Sequence, residues 1–152
     1  MTESIQNLQK MMALQKLVKK IRPLIHCITN PISIHDCANV VLAAGGRPIM
    51  AEHPREVEQI TETAQALMLN LGNITDVRME SMKRSLAAAN KKGIPVLLDL
   101  VGVACSDLRR EYASELLQTG TISVLKGNMS EILEMAGEES HSIGIDAGIQ
   151  DT

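Results

Sequence analysis

Apolar residues recur at three- and four-residue spacing from Ser4 to Ile21, at Ile5, Leu8, Met11, Met12, Leu14, Leu17, Val18 and Ile21, with lysines between them. That period predicts a first helix. Pro23 stops it, because a proline ring lacks the N–H that would continue the turn. Leu24 to Thr29 reads as a short buried strand. Ser33 to Ala44 reads as a helix carrying Ile34, Cys37, Ala38, Val41 and Leu42, closed by Gly45-Gly46. A short apolar segment follows, Pro48 to Ala51. Pro54 is placed as the first residue of a helix bearing Val57 and Ile60, since its absent N–H is one of the unpaired donors of any helix start.

Ala66 to Leu71 is the next strand, and Thr75 caps a longer helix whose apolar positions include Val77, Met82, Leu86 and Ala89. That helix ends in Lys91-Lys92 before Gly93, positive charge at the negative end of its dipole. Ile94 to Asp99 is the clearest strand. Asp107 to Gln118 predicts a helix, Ile122 to Leu125 a strand, and Ser130 to Met135 the start of another helix. Strands and helices alternate throughout, and short apolar strands without a period of two are expected to be buried on both faces. The pattern predicts an α/β fold with a doubly wound, mostly parallel sheet. The tail from Gly137 to Thr152 is poor in large apolar residues and reads as a chain cut off inside a connection.

Composition narrows the function classes. The 152 residues, 45% hydrophobic with formal charge −3, amount to one domain able to bury a core, with no linker or internal repeat. The near-balanced charge gives no case for nucleic acid or a charged membrane surface. Tyr112 is the lone aromatic, so the core must be built from aliphatic residues and nine methionines, and base-stacking platforms are nearly excluded. Cys27, Cys37 and Cys105 lack a CxxC pair, as suits reduced thiols in a cytoplasmic protein. No apolar run approaches the ~18 residues of a membrane span. Residues 1–22 carry five basic groups against Glu3, and residues 127–152 carry six acidic groups and no basic one, an asymmetry read as solvated helix faces.

In open parallel sheets ligands sit beyond the carboxyl ends of the strands, so those positions hold the candidate chemistry. Asp99 ends its strand, where a carboxylate either holds Mg²⁺ or caps the next turn. Asn128-Met129-Ser130-Glu131 has capping-box spacing; the same Glu131, at a helix N-terminus that favours anions, is also placed to organise metal or phosphate. Lys126, two residues before the cap, would face a nucleotide phosphate. Asn30 offers an amide at the exit of the first strand, or a turn. His26 and Cys27 are adjacent in a strand and point to opposite faces, so with His35 and Cys37 they make a poor metal cage.

Six runs, in this order, resemble hydroxyethylthiazole kinases: Pro23-Leu24-Ile25-His26-Cys27-Ile28-Thr29-Asn30, Asp36-Cys37-Ala38-Asn39, Gly45-Gly46-Arg47-Pro48-Ile49-Met50, Asn70-Leu71-Gly72, Asp99-Leu100-Val101-Gly102-Val103 and Lys126-Gly127-Asn128-Met129-Ser130-Glu131-Ile132. The resemblance implies a ribokinase-like three-layer sandwich, here over residues 1–152 and lacking its C-terminal half. It also implies ATP- and Mg²⁺-dependent phosphorylation of 4-methyl-5-(2-hydroxyethyl)thiazole in thiamin salvage, with small-molecule partners and a homotrimer for the full-length family. By motif position Met50 matches a thiazole-contacting Met, Lys126 an Arg that contacts ATP, and Asp99 and Glu131 the acidic positions that organise Mg²⁺ and phosphate. Lys126 keeps the charge of that Arg but loses its planar fork. Leu100, Ala104 and Arg47 stand where the family has Pro, Gly and a small residue. The family's glycine-rich anion hole and catalytic residue lie past Gly148, so the resemblance assigns no catalytic residue to this chain.

Two other readings stand beside this one. One is an inactive remnant or partner-binding half-domain, whose cut sheet would expose a strand edge. The other, a receiver-like or flavodoxin-like domain, is disfavoured because the first strand ends in His26-Cys27-Ile28-Thr29-Asn30, without an acidic pair or phosphate loop.

Overall fold

A computed structural model describes residues 2–139, 141 and 145–148. The element order is α1 Thr2–Ile21, β1 Leu24–Ile28, α2 Ile34–Ala44, β2 Arg47–Ile49, α3 Val57–Thr63, β3 Ala66–Asn70, α4 Asp76–Lys92, β4 Val96–Asp99, a single 3₁₀ turn Val103–Cys105, α5 Asp107–Thr119, β5 Val124–Lys126 and α6 Met129–Ala136. The strands form one sheet in the order β2-β1-β3-β4-β5, and every neighbouring pair is parallel. This is the expected α/β architecture.

Local chemistry sets the ends of the helices much as expected. The Thr75 side chain accepts the Arg78 N–H at the start of α4. Gly45 closes α2 in the left-handed conformation, its N–H on the Leu42 carbonyl. Pro54 does differ: it opens a turn in which the Glu56 and Val57 N–H groups both reach the His53 carbonyl, and α3 begins three residues later. Of the tail, residues 140, 142–144 and 149–152 lie outside the described residues. Its described part returns to the start of α6, where the Ile145 carbonyl accepts Asn128 Nδ2 and the Gly148 N–H meets Ser130 Oγ.

Right-handed crossovers put α2 on one face of the sheet and α3, α4 and α5 on the other. The core lies on the α3–α5 side, where Leu67, Leu69, Val96 and Leu98 of the strands meet Val57, Met82, Leu86, Tyr112 and Leu116 of the helices. The alternate strand residues Met68 and Leu97 are only half buried, and α2 contributes no buried residue. The expectation of burial on both faces therefore holds in full on the α3–α5 side and only in part on the other, where Cys27 is buried but Met68 and Leu97 are half buried. Strand β5 departs further, with all three residues exposed at the sheet edge. Helix α1 has the predicted period, yet Leu8, Met11, Leu14 and Leu17 are exposed, because α1 packs on α2 rather than on the sheet. No described helix is long and apolar enough to cross a membrane.

Candidate functional site

The chain runs from β1 outward to β2 and back across β1 to β3, so the winding direction reverses between β1 and β3. At such a reversal the loops beyond the carboxyl ends of the strands part and leave a crevice. A cleft of about 200 Å³ lies there, lined by Asn30, Ser33, Gly72, Asn73, Val101 and Arg109 among others.

Polar residues at four strand ends form a continuous hydrogen-bonded row beside it. Asn30 Oδ1 accepts the backbone N–H groups of Ile32 and Ser33, both at 3.0 Å, and so makes the turn that leads into α2. Its Nδ2 donates to Asn70 Oδ1 at 3.1 Å. Asn70 Nδ2 donates to Asp99 Oδ2 at 3.0 Å, and Lys126 Nζ reaches Asp99 Oδ1 and Oδ2 at 3.0 and 3.1 Å. The row is a product of register: Asn70 pairs with Asp99, and Asp99 with Lys126, across the ladder. Gly72 allows the close approach, since a Cβ there would sit 2.8 Å from Asn30 Nδ2 and 2.9 Å from Asn70 Oδ1.

Asp99 is buried, whereas the Lys126 side chain is 63% exposed, a cation held at the rim by one carboxylate. Glu131 is also buried and accepts the Gly102 N–H on Oε1 at 2.7 Å and the Asn128 N–H on Oε2 at 2.8 Å. The Glu131 N–H returns a bond to Asn128 Oδ1 at 2.9 Å, which completes the capping box. Glu131 thus ties the loop after β4 to the loop after β5, with its charge at the favourable end of α6. Gly102 has a φ of +78°, and a Cβ there would collide with the Arg109 guanidinium. That guanidinium donates to the Val101 carbonyl at 3.1 Å.

Met50 stands apart from this row. It is half buried just past β2, at the other side of the sheet from β5, and does not line the cleft. His26 is fully buried between the Thr61 hydroxyl, 2.8 Å from Nδ1, and the Ala51 carbonyl, 2.9 Å from Nε2; burial lowers its pKa. On the opposite face burial raises the Cys27 thiol to about 11. The two side chains diverge as the strand geometry requires, and no group of three or more His, Cys, Asp or Glu placed to hold a metal occurs among the described residues.

The family model for hydroxyethylthiazole kinases matches residues 14–152. The chain belongs to the hydroxyethylthiazole kinase family. It is 52% identical over 140 residues to hydroxyethylthiazole kinase 2 of Clostridium botulinum (strain Hall), covering 92% of this chain and 53% of that one. It is 46% identical over 140 residues to the hydroxyethylthiazole kinase of Finegoldia magna, covering 92% and 52%. A solved hydroxyethylthiazole kinase protein from Pyrococcus horikoshii OT3 superposes with a TM-score of 0.78 at 36% identity, over 81% of this chain and 48% of that one. The chain spans about half the length of the curated relatives it matches. Its strand order is one that flavodoxin-like domains also use, so hydroxyethylthiazole kinase membership rests on the residues rather than on the winding.

Within this member of the hydroxyethylthiazole kinase family, two residues at or beside the cleft receive no role from the sequence, although Asn70 lies in the run Asn70-Leu71-Gly72 that carries the resemblance. Asn70 carries a usable signal, a lone polar residue closing the apolar strand Ala66–Asn70, as Asp99 closes Val96–Asp99. Arg109, in the first turn of α5, has none.

Proposed function

We propose that this chain forms the metal-, phosphate- and thiazole-holding part of a hydroxyethylthiazole kinase site, built as a single domain over residues 1–152. The reaction is ATP- and Mg²⁺-dependent phosphorylation of the thiazole alcohol in thiamin salvage, in the cytoplasm, with a homotrimer expected for the full-length family. The observation that carries it is the row Asn30–Asn70–Asp99–Lys126, which gathers a buried carboxylate and a rim cation beside the cleft. Phosphoryl transfer asks mainly for positioning and charge stabilisation, and these are the residue types that supply them.

Asp99 and Glu131 would hold Mg²⁺ with the phosphates. The donor set fits: both are hard oxygen ligands, and magnesium is commonly held by one or two carboxylates together with substrate phosphates and water. Bound there, the ion would neutralise charge on the transferring phosphoryl group. Lys126 pairs with Asp99 from an exposed position, so it is free to exchange that partner for a phosphate oxygen. Asn30 would orient the substrate by its amide, and Met50 would lay its soft thioether on the thiazole ring. The group that removes the substrate's hydroxyl proton lies outside this set.

Calorimetric titration of the chain with ATP tests the assignment. Mg²⁺-dependent binding that Asp99→Asn abolishes and Lys126→Met weakens supports it; binding indifferent to both overturns it. Turnover by the 152-residue chain alone, in a coupled assay with the thiazole alcohol, would overturn the placing of the proton acceptor elsewhere. The exposed β5 edge, with Val124, Leu125, Met129 and Ile132 also exposed, favours a second reading, an inactive remnant or partner-binding half-domain. Activity regained on mixing with the C-terminal half of a homologue would count against the remnant.

A further inference from the structure

Met50 is carried by slight scaffolding. It follows a three-residue edge strand, and no helix or strand resumes until Val57. Other elements hold the residues after it. The Ala51 carbonyl is bonded by His26 Nε2 from β1. The Glu52 carbonyl accepts Ser81 Oγ from α4 at 2.7 Å. The Glu52 carboxylate takes both arms of the Arg78 fork, Nε at 2.8 Å and Nη2 at 3.4 Å.

The same guanidinium gives its remaining arm, Nη1, to the Asn73 carbonyl at 2.8 Å. Asn73 lines the cleft just past β3 and holds a φ of +48°, a left-handed conformation that asparagine tolerates better than most residues. Arg78 is therefore a strut between two strand-end loops, one bearing Met50 and the other forming a wall of the cleft. Its side chain is 12% exposed, so the strut is largely shielded from water, and a planar three-armed donor suits this geometry where an ammonium does not.

We propose that Arg78 is a positioning residue for the substrate alcohol: by clamping Glu52 and Asn73 it sets the spacing between the Met50 loop and the cleft, and with it the seat for a small ring bearing a hydroxyethyl arm. The inference rests on the reading of Met50 as the thiazole contact.

The test titrates the full 152-residue chain with 4-methyl-5-(2-hydroxyethyl)thiazole and follows the Met50 methyl resonance, assigned with Met50→Leu. In the unaltered chain the resonance shifts on titration. Arg78→Lys keeps the charge and loses the fork; it raises Kd about ten-fold and diminishes the Met50 shift. Glu52→Gln, at a half-exposed carboxylate, does the same and serves if Arg78→Lys does not fold. The double variant is no worse than either single one, because both remove one strut. Unchanged Kd and Met50 shift in the variants overturn the role of Arg78 and leave the substrate reading standing. A Met50 resonance that stays still in the unaltered chain overturns both.

Discussion

Asn70 and Asp99, the last residues of β3 and β4, are ladder partners whose side chains are bonded at 3.0 Å. Asn70 supplies both kinds of contact at once: its Nδ2 donates to the carboxylate, while its Oδ1 accepts from Asn30 and from the Gly72 N–H. Asn70→Ala would leave the Gly72 N–H without its acceptor and remove one of the bonds to buried Asp99. An unmatched buried polar group costs about 1–3 kcal/mol. The urea midpoint should fall accordingly, and Mg·ATP binding with it. An unchanged midpoint would mean that water takes over the amide's bonds.

The order of elements was legible because the signals are local. Thr75 and Asn128 cap helices within three residues of themselves, and strand apolarity is a short-range property. Burial was less legible, since it depends on what packs over the sheet. Val124 and Leu125 read as buried, yet β5 is an edge strand. Met68 and Leu97 read like Leu69 and Leu98, but only the latter face the α3–α5 layer. At the site, Asp99 and Lys126 stood out as polar residues on apolar strands. The Arg78–Glu52 bond spans 26 positions, and no local pattern announces such a pair.

Glu131→Gln separates two duties of one side chain. Both carboxylate oxygens accept backbone N–H groups in a buried setting. A glutamine has one acceptor oxygen, so its amide hydrogens would confront either the Gly102 or the Asn128 N–H. We expect a loss of about 1–3 kcal/mol in stability, read by urea unfolding, together with weaker Mg·ATP binding. If stability falls while nucleotide binding stays unchanged, Glu131 acts as a structural clamp and Asp99 remains the assigned metal ligand.

His26 makes stability depend on pH. Burial lowers its pKa from the ordinary 6.5, against the opposing influence of the Ala51 carbonyl and the Glu56 carboxylate. The unfolded chain therefore takes up the proton first on acidification. Stability from the neutral, buried ring is complete above 6.5 and is lost as pH falls from 6.5 through the folded value. Urea unfolding between about pH 7.5 and about pH 5.5 should show a midpoint falling towards acid, with a shallower fall in His26→Gln. Equal slopes would assign the acid loss to other groups.

Gly102→Ala should destabilise through two effects that can be told apart. The φ of +78° is strained for any residue with a Cβ, at about 1–2 kcal/mol, and that Cβ would also meet the Arg109 guanidinium. Displacing Arg109 breaks its bond to the Val101 carbonyl and alters a wall of the cleft. In an Arg109→Ala background the collision is gone and only the backbone strain remains. The substitution at Gly102 should then cost less in that background than in the unaltered chain, and the difference between the two unfolding free energies measures the coupling. If the costs are equal, Arg109 rotates clear without penalty, and the glycine is needed for its backbone conformation alone.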